Sequence, residues 1–199
     1  MMSSPPVPPF NDPTGGPAGA DDAFLHITSQ GGDRPGSRLT AFNIFGQWAD
    51  NYLTNGVGAI SMDLRNFGMT ELTIRLELED PFIGGHFAVT NTSVKLPAQS
   101  DWTNVVFPIG LTQLTAVPGA PGAPVGTVAG ALENAAILRI IHAPGLTGPV
   151  PLAGELGVDN ITALAAIPEP VTTSSVALGL AILAYLGRKR QTTRTGTSV

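Results

Sequence analysis

The chain has 199 residues, no cysteine, and only 13% charged residues against 24 glycines and 18 prolines. Its net charge is −5 at pH 7, and six basic against fourteen acidic residues leave the part before Pro168 at −8. Disulfides and zinc–thiolate sites are excluded, and a surface this acidic repels nucleic acid, which is gripped by clustered positive charge.

Residues 1–22, rich in Pro, Gly and Asp, read as a disordered or loosely packed lead-in. Short strand candidates follow. Ala23 to Ser29 alternates, with Leu25 and Ile27 on one face, and Arg38 to Phe45 comes after a Gly/Pro turn. The next candidate sets Ile60, Met62 and Leu64 on one side. In "ELTIRLELE", Leu72, Ile74, Leu76 and Leu78 alternate with Thr73, Arg75, Glu77 and Glu79. This pattern predicts a half-buried antiparallel strand with one wet face. His86 to Leu96 forms one bent strand or two short ones, and Trp102 to Ile109 another. Val117 to Gly130 is a low-complexity loop, with a single helical turn expected near Leu132. Ala135 to His142 and Leu156 to Leu164 close the body, with a loop from Ala143 to Gly154 between them. About eight strands at this spacing predict an all-β antiparallel β-sandwich of jelly-roll type over residues 23–165.

The tail differs in kind. Val171 to Gly187 is a 17-residue run without a charged side chain, framed by Pro168-Glu169-Pro170 and by Arg188-Lys189-Arg190. As a helix it would be about 25 Å long, at the short limit for crossing a bilayer core of about 30 Å. It shows no polar face of helical period. The basic cluster fits a cytoplasmic flank, so the expectation is a single C-terminal transmembrane helix with the body outside. The two prolines keep the tripeptide extended and accessible.

Tripeptide, apolar span and basic cluster, in that order, resemble the bacterial PEP-CTERM sorting signal. The resemblance spans residues 166–199 and implies recognition by an exosortase, a membrane transpeptidase-like protease. Release to the cell surface or extracellular matrix would follow, commonly beside exopolysaccharide production. Gln191 to Val199 extend beyond the usual end of such signals. The opening "MMSSPPVPPF" has no basic or apolar leader pattern, so export implies either a signal peptide upstream of this start, the favoured reading, or insertion driven by the tail itself.

The body resembles the galactose-binding-like jelly roll of carbohydrate-binding modules. The resemblance rests on "GQWADNYLTNGVGAISMDLRNFG", "LTIRLELED", "LPAQSDWTNVVFPI", "ILRIIH" and "LGVDNITAL". It implies a structural calcium near the first and last strands, where Asp21, Asp22 and Asp159 stand. Asp159 is the best single ligand candidate, since calcium takes oxygen ligands. Read from the residues alone, Asp159 hydrogen-bonds in a turn or bulge.

Sugars stack on aromatic faces beside polar groups. Trp48, Tyr52 and Trp102 are therefore the sugar-binding candidates, with tryptophans that plug the ends of the sandwich as the alternative. His26, His86 and His142 lie in separate strand-like runs, and no hydrolase, zinc-protease or phosphate-loop motif occurs. Asp63, Glu77, Glu79 and Asp159 would supply the paired carboxylates of a glycosidase, but no further cue points to one. The expectation is thus a non-enzymatic surface or matrix protein with an adhesion or binding body and no cofactor beyond that calcium. Its partners would be the membrane, an exosortase-type enzyme and polysaccharide. A carbohydrate-binding module acting on exopolysaccharide is the first alternative and a glycoside-acting enzyme the second.

Overall fold

A computed structural model describes residues 8–32, 37–83 and 85–166. They belong to the compact unit Met1–Ala166. Pro168, Glu169, Pro170, the apolar run and Arg188, Lys189 and Arg190 lie outside the described residues. Among the described residues, no helix is long and apolar enough to cross a membrane.

The strands are β1 (Phe10–Asp12), β2 (Phe24–Gln30), β3 (Thr40–Asn43), β4 (Val57–Asn66), β5 (Leu72–Asp80), β6 (His86–Thr90), β7 (Val94–Leu96), β8 (Thr103–Pro108), β9 (Leu114–Val117), β10 (Ile137–His142) and β11 (Ala153–Ala165). A short helix, α1 (Val128–Glu133), precedes β10 and is capped by Thr127, whose hydroxyl accepts the Gly130 N–H at 3.0 Å. One sheet has the order β1-β2-β11-β4-β8 and the other β3-β10-β5-β6-β9, with β7 also on β5. The paired strands run antiparallel throughout.

The two sheets close over a single main core. Ile60, Met62 and Leu64 of β4 meet Leu72, Ile74, Leu76 and Leu78 of β5, with Phe107, Leu138, Leu156 and Val158. Each such side chain, removed from water, contributes about 1.5–3 kcal/mol before entropy is counted. The expected β-sandwich is thus present, and its inner faces are the ones that alternation marked.

Of the two readings of His86 to Leu96, the structure has the two short strands, β6 and β7, which pair with opposite halves of β5. Two details differ from the sequence expectation. Residues 10–12, within the supposed lead-in, form β1 on the edge of the first sheet. Most important, β5 has no wet face: Thr73, Arg75, Glu77 and Glu79 are buried along with its leucines. Arg75 explains part of this. Its Nε donates to Ala143 O at 3.0 Å and its Nη1 to Thr90 O and Asn91 O at 2.6 and 2.7 Å, so three backbone carbonyls of the returning chain hold the guanidinium. Beside it Val89, Val117, Ile141 and Ala143 form a second, smaller apolar cluster, with Phe87 against it.

Hydrogen bonds place several chain segments at one end of the sandwich. Ala136 N–H donates to Glu79 O (2.8 Å), Asp50 N–H to Ala135 O (2.9 Å) and Tyr52 N–H to Leu132 O (2.9 Å). At this same end the last described residue, Ala166, donates its N–H to Gly56 O at 2.7 Å. We call it the exit end.

Candidate functional site

A cleft of about 410 Å³ opens where β2 and β3 face one another across the sandwich edge. Its floor is apolar and buried: Ala41, Leu138, Ile140 and Val158. Its rim is polar, with Asn11, Asn43, Gln47, Asp159 and Asn160, and Trp48 and Phe42 stand beside these amides. The volume lies in the range of small-molecule sites, and an apolar floor with a few polar groups is their usual composition.

Local structure fixes this rim. Asn43 Nδ2 donates to Gln47 Oε1 at 3.2 Å, and Asn43 Oδ1 accepts the Phe45 N–H at 2.9 Å, which turns the chain sharply after β3. Trp48 is half-buried against the core. Its carbonyl accepts the Tyr52 hydroxyl at 3.0 Å. Burial, and then the nearby Asp50 carboxylate, push the Tyr52 phenol up to about 12, so it stays a donor at any physiological pH. On the far side of the cleft β11 is irregular between Asp159 and Thr162. There Asn160 takes a left-handed backbone, φ 52°, a conformation asparagine tolerates better than most residues.

The structure brings together only part of what the sequence nominated. Trp48 and Asp159 share the cleft. Tyr52 is 3% exposed; it holds the backbone of Trp48 and has no free ring face. Trp102 lies on the outer face of the first sheet, edge-on to Phe24 and Phe67 with ring centroids 5.2 and 6.1 Å away. Its indole N–H donates to Gly15 O at 2.9 Å. A β-carbon on Gly157 would come within 2.7 Å of both Phe67 and Trp102, so glycine there lets the two rings lie across β11. Trp102 therefore fastens the N-terminal loop to the outer face of the first sheet.

The calcium expectation at Asp159 does not fit the donors. Asp159 Oδ1 accepts the Asn160 N–H at 2.8 Å. The opposite Asp63 is taken up by the amides of Asn104 (2.8 Å) and Asn160 (2.7 Å). Asp22 Oδ2 accepts the Ala18 N–H at 2.8 Å. Among the described residues, no three His, Cys, Asp or Glu side chains are grouped to hold a metal ion, whereas calcium takes six to eight oxygens. The bulge role for Asp159 is the one the geometry shows.

Beside the cleft lies a feature that sequence reasoning placed in water. Phe42 sits over the Arg139 guanidinium at 5.4 Å. Arg139 Nη2 donates to Glu79 Oε2 at 3.1 Å, and its Nε stands 2.7 Å from Glu79 Oε1 at an angle that makes no hydrogen bond. Its Nη1 lies 3.7 Å from Glu77. One guanidinium thus faces two buried carboxyls. Burial raises both, and for Glu79 the rise, opposed by Arg139 and reinforced by Glu77, is to about 8. At neutral pH Glu79 therefore favours its protonated form, and Arg139 is the cation that faces both carboxyls. The i, i+2 glutamates of β5 were the sequence signal for a carboxyl pair on one face. Nothing local signalled the burial.

The histidines have structural roles. His142 Nδ1 accepts the Thr73 N–H and His86 Nδ1 the Thr127 N–H, both at 3.0 Å. His26 packs among Phe10, Phe24 and Phe67.

These features define an antiparallel β-sandwich with an amide-rimmed edge cleft. Its fold is similar to that of an exo-β-agarase, with a TM-score of 0.54 at 12% identity over 84% of this chain and 24% of that one. The chain thus spans about a quarter of the agarase. It is also similar to a family 11 carbohydrate-binding module from Clostridium thermocellum solved with a β-1,3-1,4-mixed-linked tetrasaccharide. That match has a TM-score of 0.47 at 15% identity, over 81% of this chain and 85% of the module. Likeness at such identities is one of fold. No family model and no curated protein sequence matches the chain.

Proposed function

We propose that this is an exported surface or matrix protein whose sandwich binds polysaccharide in the Trp48 cleft and whose tail is a PEP-CTERM-like sorting signal. The carrying observation is the cleft: Trp48 and the polar residues Asn11, Asn43, Gln47, Asp159 and Asn160 line it around a buried apolar floor. A sugar offers a C–H face to a ring and hydroxyls to amides, so the lining suits it on both counts. The recurrence of the fold within an exo-β-agarase supports a carbohydrate setting. We assign no catalysis. Glu77 and Glu79 are 3% and 1% exposed, which keeps them from a water or a glycosidic oxygen. The opposed Asp63 and Asp159 are held by the Asn104 and Asn160 amides and by the Asn160 N–H.

Affinity electrophoresis of the full chain through gels cast with agarose, mixed-linkage β-glucan and the producing cell's own exopolysaccharide tests the binding. Retardation by one of these, at least tenfold weaker in Trp48→Ala and unchanged in Trp102→Phe, is the expected result. Equal retardation of the two variants would move the site elsewhere, and no retardation on any polymer would remove the binding reading. Sorting is tested by terminal-peptide mass spectrometry on cells and medium. A mature end near Pro170 supports it, while an intact Val199 in every fraction would end it.

A further inference from the structure

We propose that the exit end of the sandwich rests on a lipid surface while the chain is still anchored. The inference depends on the tail reading above. Four described large apolar side chains are more than three-quarters exposed: Phe45 (90%), Phe82 (81%), Ile83 (77%) and Met69 (76%). The first three are at the exit end. Phe45 follows β3, whose Asn43 pairs with Leu138 near the start of β10. Phe82 and Ile83 follow Asp80, whose Oδ1 accepts both of their N–H groups and turns the chain outward. Ile44, Val125 and Leu53, also exposed, extend the same rim. Apolar side chains concentrated at one end of a sandwich mark a surface that something covers.

Chain geometry says what covers it. Ala166 leaves beside Gly56, and residues 167–170 alone separate it from the apolar run that starts at Val171. Five steps of at most about 3.6 Å keep Val171 within about 18 Å of Ala166 in any conformation. A run seated in a bilayer therefore draws this end, and no other, to the headgroups. The segments that form the end, 44–56, 81–83 and 118–133, contain no lysine or arginine. The contact is then apolar insertion into the interface, of the kind amphipathic surface segments make, and it does not require anionic lipid.

The absence of cysteine makes a direct test available. Phe45→Cys, Phe82→Cys and, at the opposite end, Met69→Cys each give one attachment point for an NBD fluorophore on the full chain. The labelled chains are mixed with phosphatidylcholine vesicles and floated. We expect the labels at 45 and 82 to brighten several-fold, shift to the blue and be quenched by a lipid-borne nitroxide, in low and high salt alike, with none of this at 69. Flotation with the labels at 45 and 82 as wet as that at 69 overturns the proposal and leaves the tail reading intact. Failure to float overturns both. Labels already dry before vesicles are added point to the chain's own tail if dilution changes nothing, or to a second copy if dilution wets them. Either result overturns the lipid contact.

Discussion

Replacing Glu79 with glutamine removes one titrating proton while keeping a neutral donor against Glu77 and Arg139. In the native protein this carboxyl is held up to about 8 from an ordinary 4.5, chiefly by burial. Between those values the folded state binds a proton that the unfolded chain has lost, so stability falls as pH rises, by up to about 1.4 kcal/mol per pH unit. Below the ordinary histidine value near 6.5 a second group opposes it. Burial lowers His142, so there the unfolded chain takes the extra proton. The clean window is therefore pH 6.5 to 8, across which the native protein should lose roughly 1.5–2 kcal/mol, or roughly 3–6 °C in Tm for a domain of this size. Urea melts at three pH values in that window, on the native chain and on Glu79→Gln, measure it. The variant should lose most of this slope, what remains coming from Glu77, which burial also raises. An equal slope in both proteins, or a flat native profile, would refute the protonated-Glu79 account of the Arg139 cluster.

Three further outcomes follow from packing. Asn66 is fully buried, its Nδ2 within 2.9–3.1 Å of the Thr70, Leu96 and Pro97 carbonyls and its Oδ1 accepting the Gly68 N–H. Asn66→Ala strands these groups and should cost about 2–4 kcal/mol in urea melts. Gly157→Ala drives a methyl into Phe67 and Trp102. It should cost about 1–3 kcal/mol and raise the tryptophan emission wavelength as Trp102 is displaced. His142→Gln keeps an acceptor for Thr73 but cannot titrate, so stability on the acid side of pH 6.5 should decline less steeply than in the native chain, a comparison that thermal melts at pH 5 and 6.5 make.

The inner faces of β4 and β5 were legible because period-two alternation is a local property, and both strands bury their apolar set as that alternation predicts. The outer face of β5 was not legible. Arg75 finds its acceptors at Thr90, Asn91 and Ala143, and no window of the sequence shows that these carbonyls return over the strand. The cleft was half legible. Trp48 and Asp159 were nominated for separate reasons, yet their juxtaposition depends on β2, β3, β10 and β11 meeting at one edge. Trp102 and Tyr52 carried the same compositional signal as Trp48, and only their partners, Gly15 and the Trp48 carbonyl, show that each is a fastening. The tail motifs were readable as sequence and lie outside the described residues.

The position of β11 has a kinetic consequence. The last strand of the body lies between β2 and β4, at the centre of its sheet, so Val158 pairs with Leu25 and with Leu64, partners far earlier in the chain. A chain emerging from the ribosome holds both flanking edges open until this strand has been made. Non-local pairing of this kind slows folding, and the sandwich closes late, once β11 has been made. Under the export proposed above, such a delay would keep the chain threadable until it has crossed a membrane.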